Sequence, residues 1–454
     1  RRAPCRGMPA DPTTASALDA LLHHARAAGA DAADASVSIS ESLSVDVRMG
    51  AFEGVERSES RSIGLRAFLG KRQAGATSSD LSPDGLKALA ERVVAMARLA
   101  PEDPYCGLLD PAERATAFPD LDTHDDARPD ADALEALAQE AEAAALAVPG
   151  VTNSSGAGAS WSAGSVAMRT SDGFAGASRA SSYGVGLSVI AERDGKMERD
   201  YEGRTTRFLA ELPPARTLGQ TAGERAVARL GARKLESRRA PVIFENRLAS
   251  RIIGPLFGAI SGAAVARGVS FMKDKLGQQV FAKGVSIEDD PFRKRGLASR
   301  PFDGEGAAGA RRLIVDDGVL TTWLMNAAAA RQLGLRSTGH ATLGHGGPPG
   351  IASSNVTLLP GAHDLDALMA QAGSGVLVTE MFSPSLNANN GDWSVGFSGF
   401  WFENGVRAFP VSEITVAGNL VDIFARLVPG ADLERRGAAD APSILVDDLA
   451  IAGV

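Results

Sequence analysis

The chain has 454 residues, enough for two or three domains, with 44% hydrophobic and 22% charged residues, an ordinary globular mixture that can bury a large core. A net charge of −8 argues against sequence-independent nucleic-acid binding, which needs a basic face to neutralise phosphates. No stretch reaches the ~18 uninterrupted apolar residues of a membrane span, and Arg1-Arg2 is not followed by an apolar signal region, so a cytoplasmic protein with no membrane partner is expected.

In chain order, Cys5 lies in the run RRAPCRG ahead of Met8, which is read as the natural start. Cys5 and Cys106 are unrelated in spacing and give neither a disulfide framework nor a CxxC site. Residues 16–28 place Leu18, Leu21, Leu22 and Ala25 on one helical face, with Gly29 as the stop. Alternation of Val37, Ile39, Leu43, Val45 and Val47 predicts a strand, with further strands at 52–58, 62–69 and 72–78. Ser82-Pro83 opens a helix that runs through Leu86, Leu89, Val93 and Met96. These elements define an N-terminal α+β domain over 15–100.

A second segment, 101–224, begins with a linker holding Pro101, Pro104, Pro111, Pro119 and Pro129, continues in an Ala/Leu/Glu helix over 131–147, and then becomes strand-like. Asp172-Gly173, Asp194-Gly195, Asp317-Gly318 and Asn404-Gly405 sit between apolar or alternating runs and suit type I′ turns, in which both central residues need φ > 0. The fold class expected is therefore α+β, antiparallel sheets with long packed helices, the larger β-rich domain spanning 225–454. Helices are predicted at 216–233 and 245–266. The second carries a core stripe of Leu248, Ile252, Ile253, Leu256, Phe257 and Ile260, with Gly254, Gly258 and Gly262 as a separate row read as close backbone packing and Pro255 as a kink or restart.

Chemistry is hard to find by residue type. The six histidines are His23, His24, His124, His340, His345 and His363, and no HExxH, HExxxH or CxxC occurs. His340 and His345 lie in the loop TGHATLGHGGPPG, where they could share a metal or be two solvated side chains. Glu288-Asp289-Asp290 and Asp447-Asp448 read as solvated turns in preference to acid–base or Ca²⁺/Mg²⁺ sites. Arg293-Lys294-Arg295 is the best local basic patch and reads as a solvated loop. No GxSxG surrounds a serine, and Cys106 reads as an inert thiol. By residue type alone, no catalytic and no metal-binding residue is assigned.

The runs RTSDGFAGASRASSYGVGLSVIAE (169–192), SIEDDPF (286–292), RRLIVDDGVLTTWLMN (311–326), STGHA (337–341), SNVTLLPG (354–361) and LVTEMFSPSLNANNGDWSVGFSGFWFENGVRAFPVSEITVAGNLVDIF (377–424) resemble the TldD/PmbA family, in order and spacing, from about residue 15 onwards. The resemblance implies a two-protein peptidase. A TldD-like catalytic partner holds zinc with HExxxH on a helix and a later cysteine, its glutamate being the general base. The TldE/PmbA-type subunit has the same fold without those ligands. Here Ile253, Gly254 and Gly258 stand at the HExxxH positions and Ala441 near the cysteine, so no cofactor is expected in this chain and zinc is expected in the partner. The implied substrates are unfolded peptides, including antibiotic-precursor leaders and antitoxins, bound through strand backbone; Val395, Phe397 and Trp401 are candidate peptide contacts, with the core as their alternative place. Two other readings stay open: an independent peptidase with unorthodox residues, and a peptide-binding homodimeric scaffold without catalysis.

Overall fold

The computed structural model describes residues 12–453; the reading of Met8 as the start, and Cys5, lie outside the described residues. The N-terminal half runs α1 (Pro12–Ala27), β1 (Ala32–Arg48), β2 (Ala51–Leu69), β3 (Arg72–Ser78), α2 (Pro83–Leu99), α3 (Ala131–Leu146), β4 (Val151–Thr170), β5 (Ala175–Arg193), β6 (Lys196–Thr206) and α4 (Ala215–Ala228). Its strands form one antiparallel sheet ordered β3-β2-β1-β4-β5-β6. Because β1 pairs with β4 along almost its whole length, the sheet passes without a break through both segments 15–100 and 101–224.

The two strands expected at 52–58 and 62–69 are one strand of 19 residues. Its middle, Glu56–Arg61, is exposed and polar on both sides, so apolar alternation vanishes there while the ladder to β1 continues. Ser82 caps α2 by accepting a hydrogen bond from the Gly85 N–H, as its position before Pro83 suggested. All four helices lie on one face. Leu18, Leu21, Leu89 and Val93 pack on Val37, Ile63 and Leu65, and further along Leu134, Ala138, Leu218 and Ala222 pack on Val45, Trp161, Tyr183 and Leu187. The opposite face of β1 is a run of Ser36, Ser38, Ser40, Ser42, Ser44 and Asp46, placed there by the period of two.

The C-terminal half runs β7 (Arg238–Phe244), α5 (Asn246–Ala259), α6 (Gly262–Ala266), β8 (Ile287–Asp290), β9 (Arg312–Asp316), β10 (Val319–Leu320), α7 (Ala327–Leu333), β11 (Asn355–Leu358), α8 (Leu365–Ala372), β12 (Gly375–Met381), β13 (Ser385–Leu386), β14 (Asp392–Glu403), β15 (Val406–Asn419), α9 (Leu420–Arg426), β16 (Val428–Pro429), β17 (Ala439–Asp440) and β18 (Ile444–Ala452). β12, β7, β18, β15 and β14 pair in that order, and a further pairing of β14 with β12 closes the path into a ring. Two pairings, β7 with β12 and β11 with β17, are parallel, short additions to an antiparallel plan that carry no βαβ rhythm in the sequence.

Three of the four predicted turns have both central residues at positive φ: Asp194 and Gly195 (52° and 71°), Asp317 and Gly318 (46° and 82°), Asn404 and Gly405 (52° and 76°). At Asp172-Gly173 only the glycine does, because the Thr170 hydroxyl bonds both Asp172 and the Phe174 N–H and shapes a wider loop. The helix expected over 245–266 is broken after Ile260, where the Gly262 N–H turns to the Leu324 carbonyl, and Pro255 sits inside α5 without ending it.

Candidate functional site on helix α5 and at the domain junction

Helix α5 buries Leu248, Ala249, Ile252, Ile253, Leu256 and Ala259 in the main C-terminal core. Its outward stripe is Arg247, Arg251, Gly254 and Gly258, spaced by four, three and four residues. The first half of that stripe is tied down. Arg247 bonds Asp200 at 2.7 Å and the carbonyls of Tyr201 and Thr379, and Arg251 bonds the Met381 carbonyl. The second half is bare, since a Cβ built on Gly254 or Gly258 would meet nothing within 4 Å among the described residues. The reading of the glycine row as close packing therefore fails for these two, which face open space. Only Gly262 is crowded, with Met325 at 2.9 Å and Ala329 at 3.1 Å.

The four positions singled out as former metal ligands are thus placed differently. Ile253 (0% exposed) and Ala441 (1%) lie in the same core cluster, and Gly254 and Gly258 lie on the open side of α5. None of the four carries a ligating atom, so these residues do not fit a bound zinc ion. Among the described residues, no three His, Cys, Asp or Glu side chains are grouped to hold a metal.

His340 and His345 do not form a site together. His340 is buried, its Nδ1 2.8 Å from the Thr338 hydroxyl and its Nε2 3.1 Å from Asp289, which also accepts from the Ser354 N–H and hydroxyl. Asp289 is therefore no solvated turn: it is buried in β8, and although burial pushes its carboxyl up, bonds from His340 and Ser354 outweigh that and hold it below the ordinary range. His345 reaches the other half of the molecule, with its ring nitrogens 2.9 Å from the hydroxyls of Ser36 and Ser62. Desolvation pushes its pKa down, favouring the neutral ring. The loop carrying both histidines lies directly on β2 and β3, where a Cβ on Gly64 or Gly75 would collide with the backbone of Gly346. His345 serves as a strut between domains and His340 as one inside the C-terminal domain, contrary to the solvated and metal-bound alternatives.

Val395, Phe397 and Trp401 share a face of β14, but the expectation that they contact peptide is corrected by their burial in the C-terminal core (1%, 0% and 8% exposed). Asp447-Asp448 is exposed, with Asp448 paired to Arg239, and Cys106 is buried, which pushes its thiol up.

The feature that sequence reasoning missed is a buried charge cluster where β6 and α4 meet α5 and β12. Arg229 (side chain 4% exposed) meets Glu380 at 2.5 Å, Glu198 at 3.3 Å and Asp200 at 3.4 Å. Arg247 shares Asp200 and adds Glu245 at 3.0 Å. Glu202 gathers Arg204, Arg225 and Arg436. Burial alone would raise Glu202, but Arg436, the Gly203 N–H, Arg225 and Arg204 hold it below the ordinary carboxylate value. The signal was available as Glu198, Asp200 and Glu202 at strand period opposite Arg225 and Arg229 at helix period. The same arginines cap edge carbonyls of β6, Arg229 on Arg199 and Arg247 on Tyr201, so this edge of the sheet is covered. A second buried carboxyl, Glu305, accepts from the Ala327 N–H and lies 4.0 Å from Arg66; burial pushes it up to about 7.

An α+β chain of this architecture has the fold of a metallopeptidase family. Models of the PmbA/TldA metallopeptidase match it throughout: domain 1 over 33–97, the central domain over 124–230 and the C-terminal domain over 237–453. It is 36% identical over 425 residues to Metalloprotease PmbA of Escherichia coli O157:H7, covering 93% of this chain and 92% of that one. It is 37% identical over 439 residues to the Metalloprotease PmbA homolog of Haemophilus influenzae, covering 96% and 95%. The crystal structure of TldE from Thermococcus kodakarensis superposes with a TM-score of 0.87 at 17% identity, covering 96% of this chain and 100% of that one. The chain belongs to the TldD/PmbA family. No helix among the described residues is long and apolar enough to cross a membrane.

Proposed function

We propose that this chain is the non-catalytic PmbA/TldE-type subunit of a two-protein metallopeptidase that acts on unfolded peptides, with zinc and the general base supplied by a TldD-like partner. One observation supports the reading: of the residues that the resemblance sets against the family's metal ligands, Ile253 lies in the core, Gly254 and Gly258 lie beside open space, and Ala441 offers only a methyl. The metal-binding groups are missing together, while the surrounding helix, its core stripe and its anchoring arginines are intact. Such a subunit contributes walls and an interface to a peptide-handling chamber. Exposed Met49, Phe52 and Val55 at the tip of the long β1–β2 hairpin (52%, 51% and 53% exposed) offer an apolar projection for that assembly.

The test is assembly with metal counting. Co-expressed with a TldD-like protein, the chain is expected to co-purify as a stoichiometric complex holding one zinc per pair, all of it lost when the partner's HExxxH histidines are replaced. A complex retaining zinc after that replacement would place the metal on this chain and sink the reading. The independent-peptidase alternative gains nothing from His340 and His345, whose rings are committed to Asp289, Thr338, Ser36 and Ser62.

A further inference from the structure

The helix-free face of the N-terminal sheet is crossed by a row of small residues in register. Gly54 pairs with Asp46, Asp46 with Gly158, Gly158 with Gly186, and Gly186 with Gly203. Three cavities follow this row. A middle one of about 570 Å³ is lined by Ser44, Ser160, Gly158, Gly184, Gly186 and Gly203 among others. It shares Asp46 and Gly158 with a cavity of about 430 Å³ at the β1–β2 end, and Thr205 and Arg436 with one of about 470 Å³ beyond β6. Together they make one trough running across the strands.

The trough is electrically polar. Its β6 end is lined by Arg207, Arg293, Lys294, Arg295, Arg435 and Arg436, with Glu211 the one carboxylate in the lining. Arg293 pairs with Asp440, Arg295 with Asp122 and Glu211, and Arg436 with Glu202 and Glu434. Among the described residues, Arg207 meets only the carbonyls of Ser181, Gly296 and Leu297, the Nε of Arg436 is buried without a partner, and exposed Lys294 and Arg435 enter no ion pair. Positive charge is left over at this end. At the other end exposed Asp46 and Glu53 likewise enter no ion pair among the described residues, and nearby Arg48 is engaged by the Ser154 carbonyl. The middle offers serine hydroxyls and bare glycine, which recognise backbone and reject no side chain.

From Gly54 to Gly203 the row crosses four strand spacings, about 19 Å at ~4.8 Å each, which an extended chain spans in about six residues at ~3.3 Å per residue. We propose that this trough is a docking groove for an extended peptide with carboxylates at one end, held at Lys294 and Arg435, and a cation at the other, held at Asp46 and Glu53. The inference deepens the peptide-handling reading and rests on it, but is tested on this chain alone, with no partner and no cleavage. Failure to bind therefore leaves subunit assembly untouched, and failure to assemble leaves binding untouched.

The probe is a labelled heptapeptide with two lysines, Gly-Ser-Gly and two aspartates in that order, followed by fluorescence anisotropy against the full chain at low salt. We expect it to bind roughly tenfold tighter than a peptide of the same composition with its charges alternated. Lys294→Glu/Arg435→Glu should weaken it at least about tenfold. So should Gly186→Val, whose Cβ has room (Glu202 O at 3.7 Å) but projects into the trough. Both variants should keep the parent melting temperature. No binding, equal binding of the two peptides, or binding unchanged in both variants would overturn the proposal. Binding of tripolyphosphate at Lys294 and Arg435 without peptide binding would make this a small-anion pocket and overturn it equally.

Discussion

The two halves of the stripe of α5 that turns away from the C-terminal core make an instructive contrast. One turn holds Arg247 and Arg251, committed to Asp200 and to backbone carbonyls. The next holds Gly254 and Gly258, committed to nothing. Arg247 welds the C-terminal domain to β6 and Arg251 ties α5 to β12, so both residues are fixed by the fold. The glycine half has no packing role, and its emptiness is not compensated by a neighbouring side chain moving in.

Breaking the welded half should have the largest effect. Asp200 is 1% exposed between Arg229 and Arg247. Asp200→Ala leaves two buried guanidinium groups short of a partner and should cost about 3–5 kcal/mol in denaturant unfolding. A loss below about 1 kcal/mol would mean that Glu380, Glu198 and Glu245 already suffice.

Next in size is an attempt to rebuild ligands across the contrast. Ile253→His/Gly254→Glu/Gly258→His should bind zinc weakly at best and show no peptidase activity. Truncating and polarising a fully buried core position should destabilise the chain by about 2–5 kcal/mol. Stoichiometric zinc after dialysis, with peptide cleavage in the absence of any partner, would show a preorganised site instead.

Glu305 gives a pH signature. Burial raises its folded pKa from 4.5 to about 7, so between those values the folded state holds a proton that the unfolded chain releases. Its contribution to stability is present in full below pH ~4.5 and is lost as pH rises through about 7. Glu305→Gln should therefore gain on the parent by on the order of 2–3 kcal/mol between pH 5 and pH 8. Parallel stability curves for the two proteins would show that Arg66, 4.0 Å away, already keeps the carboxyl ionised.

The smallest effect tests the bare half. Gly254→Ala and Gly258→Ala fill space that nothing occupies, and each should stabilise the chain by up to about 1 kcal/mol through helix propensity. Destabilisation in a thermal melt would mean that the helix face is more crowded than its surroundings indicate.

Much of the fold was legible because burial is one-sided. The period-two runs on β1 and β5, the cap at Ser82 and three of the four turns follow directly from local rules. Legibility failed where neighbours decide. The polar middle of β2 hid a continuous strand, and Met49-Gly50 closed a hairpin without a recognised turn pair. Gly254 and Gly262 look alike in sequence, yet one faces open space and the other Met325. Asp289 and Asp290 are adjacent acids, but only Asp289 points inward to His340. The trough was invisible for the same reason, since Gly54, Gly158, Gly186 and Gly203 become a row only through strand register.

The central claim is that the chain supports peptide cleavage without performing it. The direct measurement is cleavage of unfolded casein by the purified chain, by a TldD-like partner, and by the two mixed at equal concentration. The account predicts no cleavage by this chain alone at any zinc concentration and strong cleavage by the mixture, abolished when the partner's zinc ligands are replaced. Zinc-dependent cleavage by this chain alone would contradict it.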